Sequence, residues 1–447
     1  NTKPAQIPKK AVVRVLGCKV NQAEAAAMAK ILEAHGYEID VHAESPDLVV
    51  VNTCCVTQKA EGKSRRLVGR LAEQFPHSRL IVTGCLAAVN PASLRNAAGS
   101  AADLLTAPKE RFRELLAESA STTSTPAGEE CIGLPEFADL GAAELEGRAR
   151  SFLKIQDGCS QRCTYCIVPD ARGPSRSLDL ETVVAHCREL DETGCGEIVL
   201  TGIHLGAYGR DLKPRAGLVA LIERLLSEST EVRFRISSIE PPEIRPDLID
   251  LVAHHPRLCR HFHLPLQSGD DAILRRMGRP YRTAMIRELV ERIFEAASET
   301  CIGFDVMVGF PGEDEASFRT TEVLIRELQP AYLHVFPFSP RPGTPAAGFT
   351  PKVPDAIARE RVAALRELSK NFRTRFYERF AGATLTAVAE SEPDPVTGIL
   401  IARTDNYVPV LVQAKPNTNP VRSFPVTITE VVAAEVHGVC AVTPASE

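Results

Sequence analysis

Three cysteines stand close together, Cys159, Cys163 and Cys166, spaced C-x3-C-x2-C. They follow the apolar run Ser151–Gln156, which stops at Asp157-Gly158. A strand that ends at glycine and opens into a cysteine loop presents thiolates at a strand C-terminus, where α/β folds place their chemistry. Three thiolates could join a zinc site, but zinc usually takes a fourth Cys or His. The first histidine after Cys166 is His186, inside a stretch that reads as helix. A [4Fe–4S] cubane held by three thiolates instead keeps one iron open for a ligand. S-adenosylmethionine needs that open iron to be chelated before it is cleaved to a radical. The spacing favours this chemistry over zinc and over plain core thiols. Tyr165, just before the third cysteine, fits a place beside the cofactor's adenine.

A second set of cysteines is scattered in sequence: Leu16-Gly17-Cys18, Asn52-Thr53-Cys54-Cys55 and Thr83-Gly84-Cys85. Each ends a short run rich in Val, Ile and Leu, at Ala11–Leu16, Asp47–Asn52 and Arg79–Thr83, and a further run spans Asp103–Thr106. Glu24–His35, Gln58–Phe75 and Pro91–Ala98 between them read as helices. That alternation predicts a parallel, doubly wound sheet with its strand C-termini on one edge, so the cysteines should converge there. Buried thiols are common core residues. Their recurrence at equivalent strand ends, two after glycine, points instead to a second cluster site.

The elements that must position the first loop run from Ser151 to Ser339. Strands are expected at Ser151–Gln156, Glu197–Thr201, Val232–Ser237, His261–Leu264, Ile302–Val308 and Tyr332–Phe338. Helices are expected near Leu178–Thr193, Leu218–Ser227, Glu243–His254, Thr283–Ser298 and Glu315–Leu328. Six such units are too few for a closed eight-unit barrel, which predicts an open, partial (β/α)6 barrel. Polar or glycine-rich turns end several strands: Thr201-Gly202, Ser237–Glu240, Gln267-Ser268-Gly269 and Gly309–Glu313. Each alone is ordinary turn chemistry; together they form a rim for a bound nucleoside. Cys187, Cys195, Cys259 and Cys301 read as core thiols.

At 447 residues, with 44% hydrophobic and 24% charged, the chain suits a soluble protein of about three domains. No apolar run reaches the ~18 residues that span a bilayer. Arg14 interrupts the apolar start, no signal peptide is visible, and thirteen cysteines then suggest reduced thiols in the cytoplasm rather than a disulfide framework. The low-complexity stretch Ser119–Gly128 reads as a linker, with Cys131 an ordinary thiol. A long helix is expected over Asp355–Phe380; between Lys352 and Arg379 there are eight Lys or Arg against four Asp or Glu. That is either a solvated face or a phosphate-facing surface. The net acidic tail has β-rich runs at Thr384–Glu390, Gly398–Arg403, Tyr407–Val412 and Val426–Val432, with turn signals such as Pro416-Asn417, which reads as a small antiparallel β-barrel.

Gly17-Cys18-x2-Asn21, Asn52-Thr53-Cys54, Thr83-Gly84-Cys85 and the Cys159–Cys166 loop together resemble the radical S-adenosylmethionine methylthiotransferases, over nearly the whole chain. The tail resembles that family's RNA-binding TRAM module. Phe152–Cys159, Ala171–Ser177, Leu200–Gly206 and His263–Gly269 look most like the branch acting on N6-threonylcarbamoyladenosine in tRNA. The resemblance implies an α/β protein divided into residues 1–118, carrying an auxiliary cluster; a linker, 119–150; a radical core, 151–350; a basic connecting helix, 351–380; and a TRAM-like barrel, 381–447.

It further implies two [4Fe–4S] clusters. Cys159, Cys163 and Cys166 would ligate the one that cleaves S-adenosylmethionine to a 5′-deoxyadenosyl radical. Cys18, Cys54 and Cys85 would ligate the one that presents sulfur, although Cys55 directly follows Cys54 and competes for that place. One S-adenosylmethionine would supply a methyl group and another the radical that takes hydrogen from adenine C2. By position, Tyr165, Thr201, Gly202 and Gln267 are candidates for holding the cofactor. Expected partners are tRNA and an electron donor of flavodoxin or ferredoxin type; the sulfur source stays open. With the tail acidic, RNA contact falls to Arg172, Arg176, Lys370, Arg373 and Arg375, and to local arginines such as Arg403 and Arg422. Alternatives are methylthiolation of isopentenyladenosine tRNA or of a ribosomal protein side chain, and a zinc-stabilised RNA-binding protein without catalysis.

Overall fold

The structure, a computed structural model, describes residues 9–99, 103–120, 137–144, 149–229, 231–390, 393–413, 423–432 and 435–440. Ser121–Gly128, Cys131, Pro416-Asn417 and Arg422 lie outside the described residues. Among those described, no disulfide joins the cysteines, and no helix is long and apolar enough to cross a membrane.

The N-terminal unit runs β1 (Lys9–Val15), α1 (Lys19–Ala34), β2 (Tyr37–Ile39), β3 (Leu48–Thr53), α2 (Gln58–Gln74), β4 (Arg79–Gly84), α3 (Cys85–Val89), α4 (Pro91–Ala98), β5 (Leu104–Thr106) and α5 (Phe112–Ala120). Its five strands are parallel in the order β2-β1-β3-β4-β5. β3 is buried at every residue, because helices cover both faces of a parallel sheet and remove any need for polar alternation. Val49, Val51 and Val82 pack into the core on one side; Leu48, Val50 and Ile81 pack into the other. β2 is a three-residue edge strand with no buried position, so no hydrophobic period announces it.

The second unit contains β6 (Arg150–Lys154), β7 (Gln156–Asp157), α6 (Val168–Arg172), β8 (Arg176–Ser177), α7 (Leu180–Glu192), β9 (Glu197–Thr201), α8 (Leu218–Glu228), β10 (Arg233–Ile236), α9 (Pro246–His254), β11 (His261–Gln267), α10 (Asp271–Arg276), α11 (Thr283–Ala296), β12 (Cys301–Val308), α12 (Glu315–Leu328) and β13 (Tyr332–Pro337). β6-β9-β10 and β11-β12-β13 are parallel sheets joined by bridges Phe234–Leu258 and Ser238–His263. This is the expected six-stranded, open (β/α)6 barrel. Helix α1 of the first unit lies against β6, its Ala23 packing on Phe152 of β6 and Val199 of β9.

α13 (Asp355–Glu378) packs against β13 and leads into β14 (Thr384–Ala389), β15 (Ile399–Thr404), β16 (Pro409–Gln413), β17 (Phe424–Val432) and β18 (Glu435–Cys440). These close into a barrel ordered β14-β15-β16-β18-β17, antiparallel except for the parallel pair β16–β18. β18 was not foreseen from sequence: Glu435, His437 and Gly438 interrupt its apolar run.

The small barrel is bolted to the floor of the large one by charge. Glu197, fully buried at the start of β9, takes ion pairs from Arg150 at 2.8 Å, Arg233 at 2.7 Å and Arg235 at 2.8 Å. Arg233 and Arg235 also donate to the backbone carbonyls of Thr386, Arg403, Thr404 and Asp405 in the small barrel. Burial opposes ionisation of Glu197, but the three guanidinium groups hold its carboxyl well below the usual range. Removing one member of a buried ion pair strands the others. Glu197→Gln is therefore expected to cost about 3–5 kcal/mol of stability, measured by denaturant unfolding, with hydrogen exchange rising first in β14 and β15.

Candidate active site

The first cysteine loop opens at Gly158, whose φ of 68° belongs to glycine, and any Cβ there would collide with the carbonyl oxygens of Gly173 and Pro174. Cys159, Cys163 and Cys166 are all half-buried. Burial raises the Cys163 thiol and pushes Cys166 up to about 12. Positive or N–H groups surround them. Arg279 Nη1 donates to Cys163 Sγ at 3.2 Å, and the Gln161 amide to Cys159 Sγ at 3.4 Å. His204 Nδ1 lies 3.7 Å from Cys159 Sγ, while its Nε2 pairs with Glu243 at 2.8 Å. The sequence expectation that no histidine lies near this loop is thus corrected: His204 arrives from the turn after β9. Arg279, held by Glu240 and by Tyr281 Oη, gave no sequence signal.

The second set converges as the sheet topology requires. Cys18 directly precedes α1, Cys54 follows β3, and Cys85 begins α3. Gly84 (φ 90°) admits no side chain, because a Cβ would overlap Asn52 Oδ1 and the Thr53 carbonyl oxygen. Asn21 ties the strand ends together by donating to the carbonyls of Leu16 at 2.9 Å and Thr53 at 3.0 Å. Burial pushes the Cys54 thiol up to about 11, and both Cys85 and Cys18 act on it. The Cys55 thiol beside Cys85 holds the Cys85 pKa below the ordinary thiol value against the effect of burial, and the Arg172 guanidinium adds to this lowering.

The Cys159–Cys166 donor set suits a cluster rather than a single ion. A tetrahedral zinc with Zn–S near 2.3 Å draws its sulfurs to about 3.8 Å from one another. Among the described residues, the only His, Cys, Asp and Glu ligand atoms gathered in a group of three or more within 4.8 Å belong to His263, Asp305 and His334. Neither cysteine triad is gathered that closely, and the Cys159–Cys166 loop offers the three thiols that a [4Fe–4S] cluster with one open iron takes.

Between the two triads lies a buried charge network. Glu24 of α1 and Asp157 of β7 are fully buried and share Arg172, Lys109 and Lys154: Arg172 Nη1 sits 3.0 Å from Glu24 and 2.9 Å from Asp157, Lys109 2.7 Å and Lys154 3.3 Å from Glu24, and Lys109 pairs with Asp157 as well. Arg172 also reaches Cys85 Sγ at 3.2 Å and Asn21 Oδ1 at 2.8 Å. Burial disfavours both carboxylates, yet the cations keep them below their usual range. This corrects the expectation that Arg172 and Arg176 meet RNA. Both are buried, Arg172 in this network and Arg176 against the Arg172 carbonyl and Glu110, so neither offers a phosphate a free guanidinium.

The remaining expected residues fall in two places. Tyr165, Thr201, Gly202 and Gln267 lie at the cysteine-loop end of the barrel, Thr201 and Gln267 as the last residues of β9 and β11. Gln267 has φ 61°, and its buried Oε1 has no hydrogen-bond partner, the mark of an acceptor kept for a ligand. Tyr165 packs edge-on against Phe310. Lys370 and Arg375 are exposed and Arg373 half-exposed on α13. Lys370 and Arg373 line a groove of about 420 Å³ with His334, Phe336 and Arg366. Arg403 is committed to Glu390 at 2.6 Å and to the face of Tyr407 at 4.5 Å.

Arg172→Met should lower stability by about 3–5 kcal/mol, since it leaves two buried carboxylates short of a cation. Hydrogen exchange would report loosening of α1 and α6 together. An arginine serving only RNA would leave exchange untouched and change only tRNA affinity.

Residues 153–325 match the Radical SAM superfamily and residues 10–106 match the Uncharacterized protein family UPF0004. The chain is 35% identical over 396 residues to a threonylcarbamoyladenosine tRNA methylthiotransferase, MtaB, of Rickettsia prowazekii, covering 88% of this chain and 89% of that one. It is 34% identical to the protein of the same name from Bacillus subtilis, covering 89% and 88%. Among solved structures, the radical S-adenosylmethionine methyltransferase TsrM of Kitasatospora setae superposes with a TM-score of 0.54 at 16% identity, covering 76% of this chain and 77% of that one, a likeness of fold alone. Radical S-adenosylmethionine chemistry needs the cofactor and one [4Fe–4S] cluster, and the Cys159–Cys166 loop has the donors for it. Identity at this level across most of both chains places this protein among the radical S-adenosylmethionine tRNA methylthiotransferases.

Proposed function

We propose that this enzyme replaces the C2 hydrogen of N6-threonylcarbamoyladenosine, beside the anticodon of tRNA, with a methylthio group. The observation that carries this reading is the pairing of two cysteine sites across Arg172, one in the loop after β7 and one at the strand ends of the N-terminal sheet. The reaction has two unlike parts. The C2–H bond is not acidic enough for a side-chain base, so hydrogen must leave as an atom, and sulfur must then meet the same carbon. The activity for which these relatives are named supports the threonylcarbamoyl substrate over isopentenyladenosine or a ribosomal protein side chain.

In this reading each site takes a [4Fe–4S] cluster, with Cys54 rather than Cys55 as the third ligand of the second. The groups so bound supply the one-electron cleavage of S-adenosylmethionine to methionine and a 5′-deoxyadenosyl radical, with the electron from a flavodoxin- or ferredoxin-type donor, and the sulfur that a second S-adenosylmethionine methylates. The chain's own residues orient and exclude water. Tyr165, Thr201, Gly202 and Gln267 hold S-adenosylmethionine, the orphan Gln267 oxygen supporting its part. Arg279 and His204 fix the orientation of Cys163 and Cys159. Lys370, Arg373 and Arg375 meet RNA phosphates along α13, for which their exposure speaks.

Anaerobic reconstitution should load about eight irons per chain, falling to about four when either cysteine triad is replaced by alanine; full iron in either variant would contradict two sites. Given S-adenosylmethionine, a reductant and threonylcarbamoylated tRNA, the enzyme should yield 5′-deoxyadenosine, S-adenosylhomocysteine and the 2-methylthio nucleoside. Deuterium placed at adenine C2 should appear in the 5′-deoxyadenosine. Modification of isopentenyladenosine tRNA or a ribosomal protein instead would sink the substrate assignment.

A further inference from the structure

Strands turn alternate residues to opposite sides of a sheet. In β11, β12 and β13, Leu264, Phe304, Val306, Leu333 and Val335 pack into the apolar core with the surrounding helices. His261, His263, Asp305, Tyr332 and His334 therefore turn the other way, into the barrel. Asp305 stands opposite His334 and Gly303 opposite His263 in the strand register, so three neighbouring strands bring polar side chains together. The cysteine loops are not part of this group. His263 precedes Gln267, at the cysteine-loop end of β11, by four residues, about 13 Å of strand.

His263 Nε2 lies 3.0 Å and His334 Nδ1 3.4 Å from one oxygen, Oδ1 of Asp305. A ligand atom from each of the three residues lies within 4.8 Å of the others. A tetrahedral zinc with nitrogen and oxygen ligands at about 2.0–2.1 Å sets those atoms about 3.3 Å apart. The side chains thus stand close to where a cation between them would need them. A single histidine–aspartate hydrogen bond would explain His263; it does not explain a second imidazole brought to the same oxygen from the solvent side. Two imidazoles and a carboxylate are a set that divalent transition cations take while keeping positions open.

The surroundings support the same reading. His263 Nδ1 is 2.9 Å from Tyr332 Oη, which is 2.9 Å from His261 Nε2. When Nδ1–H donates to the phenol oxygen and the phenol donates to His261, Nε2 of His263 carries the lone pair that a metal needs. Gly303 makes room for that phenol, since a Cβ there would stand 2.1 Å from Tyr332 Cζ. There is also a way in. His263 is buried and Asp305 half-buried, but the His334 side chain is 59% exposed and lines the groove of about 420 Å³ with Phe336 and Lys370.

We propose that His263, Asp305 and His334 bind a divalent transition cation of the zinc class, with Tyr332 as the positioning residue. The site is separate from both cysteine sites, and its open positions, reached from the groove, take water or another oxygen ligand. It lies wholly within β11, β12 and β13 and stands whichever nucleoside the enzyme modifies.

The test titrates zinc into the reconstituted holoenzyme, freed of loose metal, by calorimetry, with iron content checked before and after. X-ray absorption at the zinc edge then reads the ligands. Wild type should take one zinc per chain, with nitrogen and oxygen scatterers at about 2.0–2.1 Å. Tyr332→Phe should weaken binding about ten- to a hundredfold with the scatterers unchanged, as loss of an outer-shell partner does. His334→Ala and Asp305→Asn, which remove ligands, should weaken it by at least about a hundredfold. No uptake by wild type overturns the proposal, and so does zinc held by sulfur at about 2.3 Å, the mark of the cysteines. Full affinity in His334→Ala overturns it as well. Because His334 is exposed, that variant decides the matter should Asp305→Asn or Tyr332→Phe fail to fold.

Discussion

Burying Arg172 between Glu24 and Asp157 is the constraint on which the rest of the site depends. Two carboxylates and three cations lie out of water together, contributed by α1, β6, β7, α6 and the turn after β5. Each alone would face a desolvation penalty of several kcal/mol; only the complete set offsets it. The N-terminal sheet and the large barrel therefore associate in one register or not at all. The single positive charge left over lies against the Cys85 sulfur, where Arg172 Nε makes its contact. An excess cation next to gathered thiols favours their deprotonation, and thiolate is the form that binds metal.

α6 makes this a link between the two cysteine sites. It begins two residues after Cys166 and ends at Arg172, and Ile167 and Ala171 pack into the core of the N-terminal sheet beside Cys55 and Cys85. The chain that leaves the first site is thus the chain that braces the second. A third fixed body completes the arrangement, because the arginines on Glu197 hold the small barrel beneath the floor and set Tyr407 against His261.

What the sequence disclosed follows from how local each feature is. The C-x3-C-x2-C loop carries its chemistry within eight residues, and Cys18, Cys54 and Cys85 were placed together because parallel strands share an edge. The buried strands were readable for the same reason, since burial on both faces leaves an unbroken apolar run. The bracing residues were not readable. Glu24 and Arg172 are 148 positions apart, and nothing near either marks it as a buried partner. An arginine read alone looks like a phosphate ligand, and only tertiary context turned Arg172 inward. β18 escaped because its polar residues hide a strand defined by its neighbours.

The central claim is that the two cysteine sites belong to one rigid unit and address one substrate carbon. Electron paramagnetic resonance of the reduced, fully loaded protein tests it most directly, compared with the summed spectra of the two triple-alanine variants. Two clusters braced across α6 should interact, giving broadening and faster spin relaxation that the sum lacks and that Arg172→Met weakens. A spectrum equal to the simple sum, unchanged by Arg172→Met, would mean the sites are magnetically independent and would contradict the account.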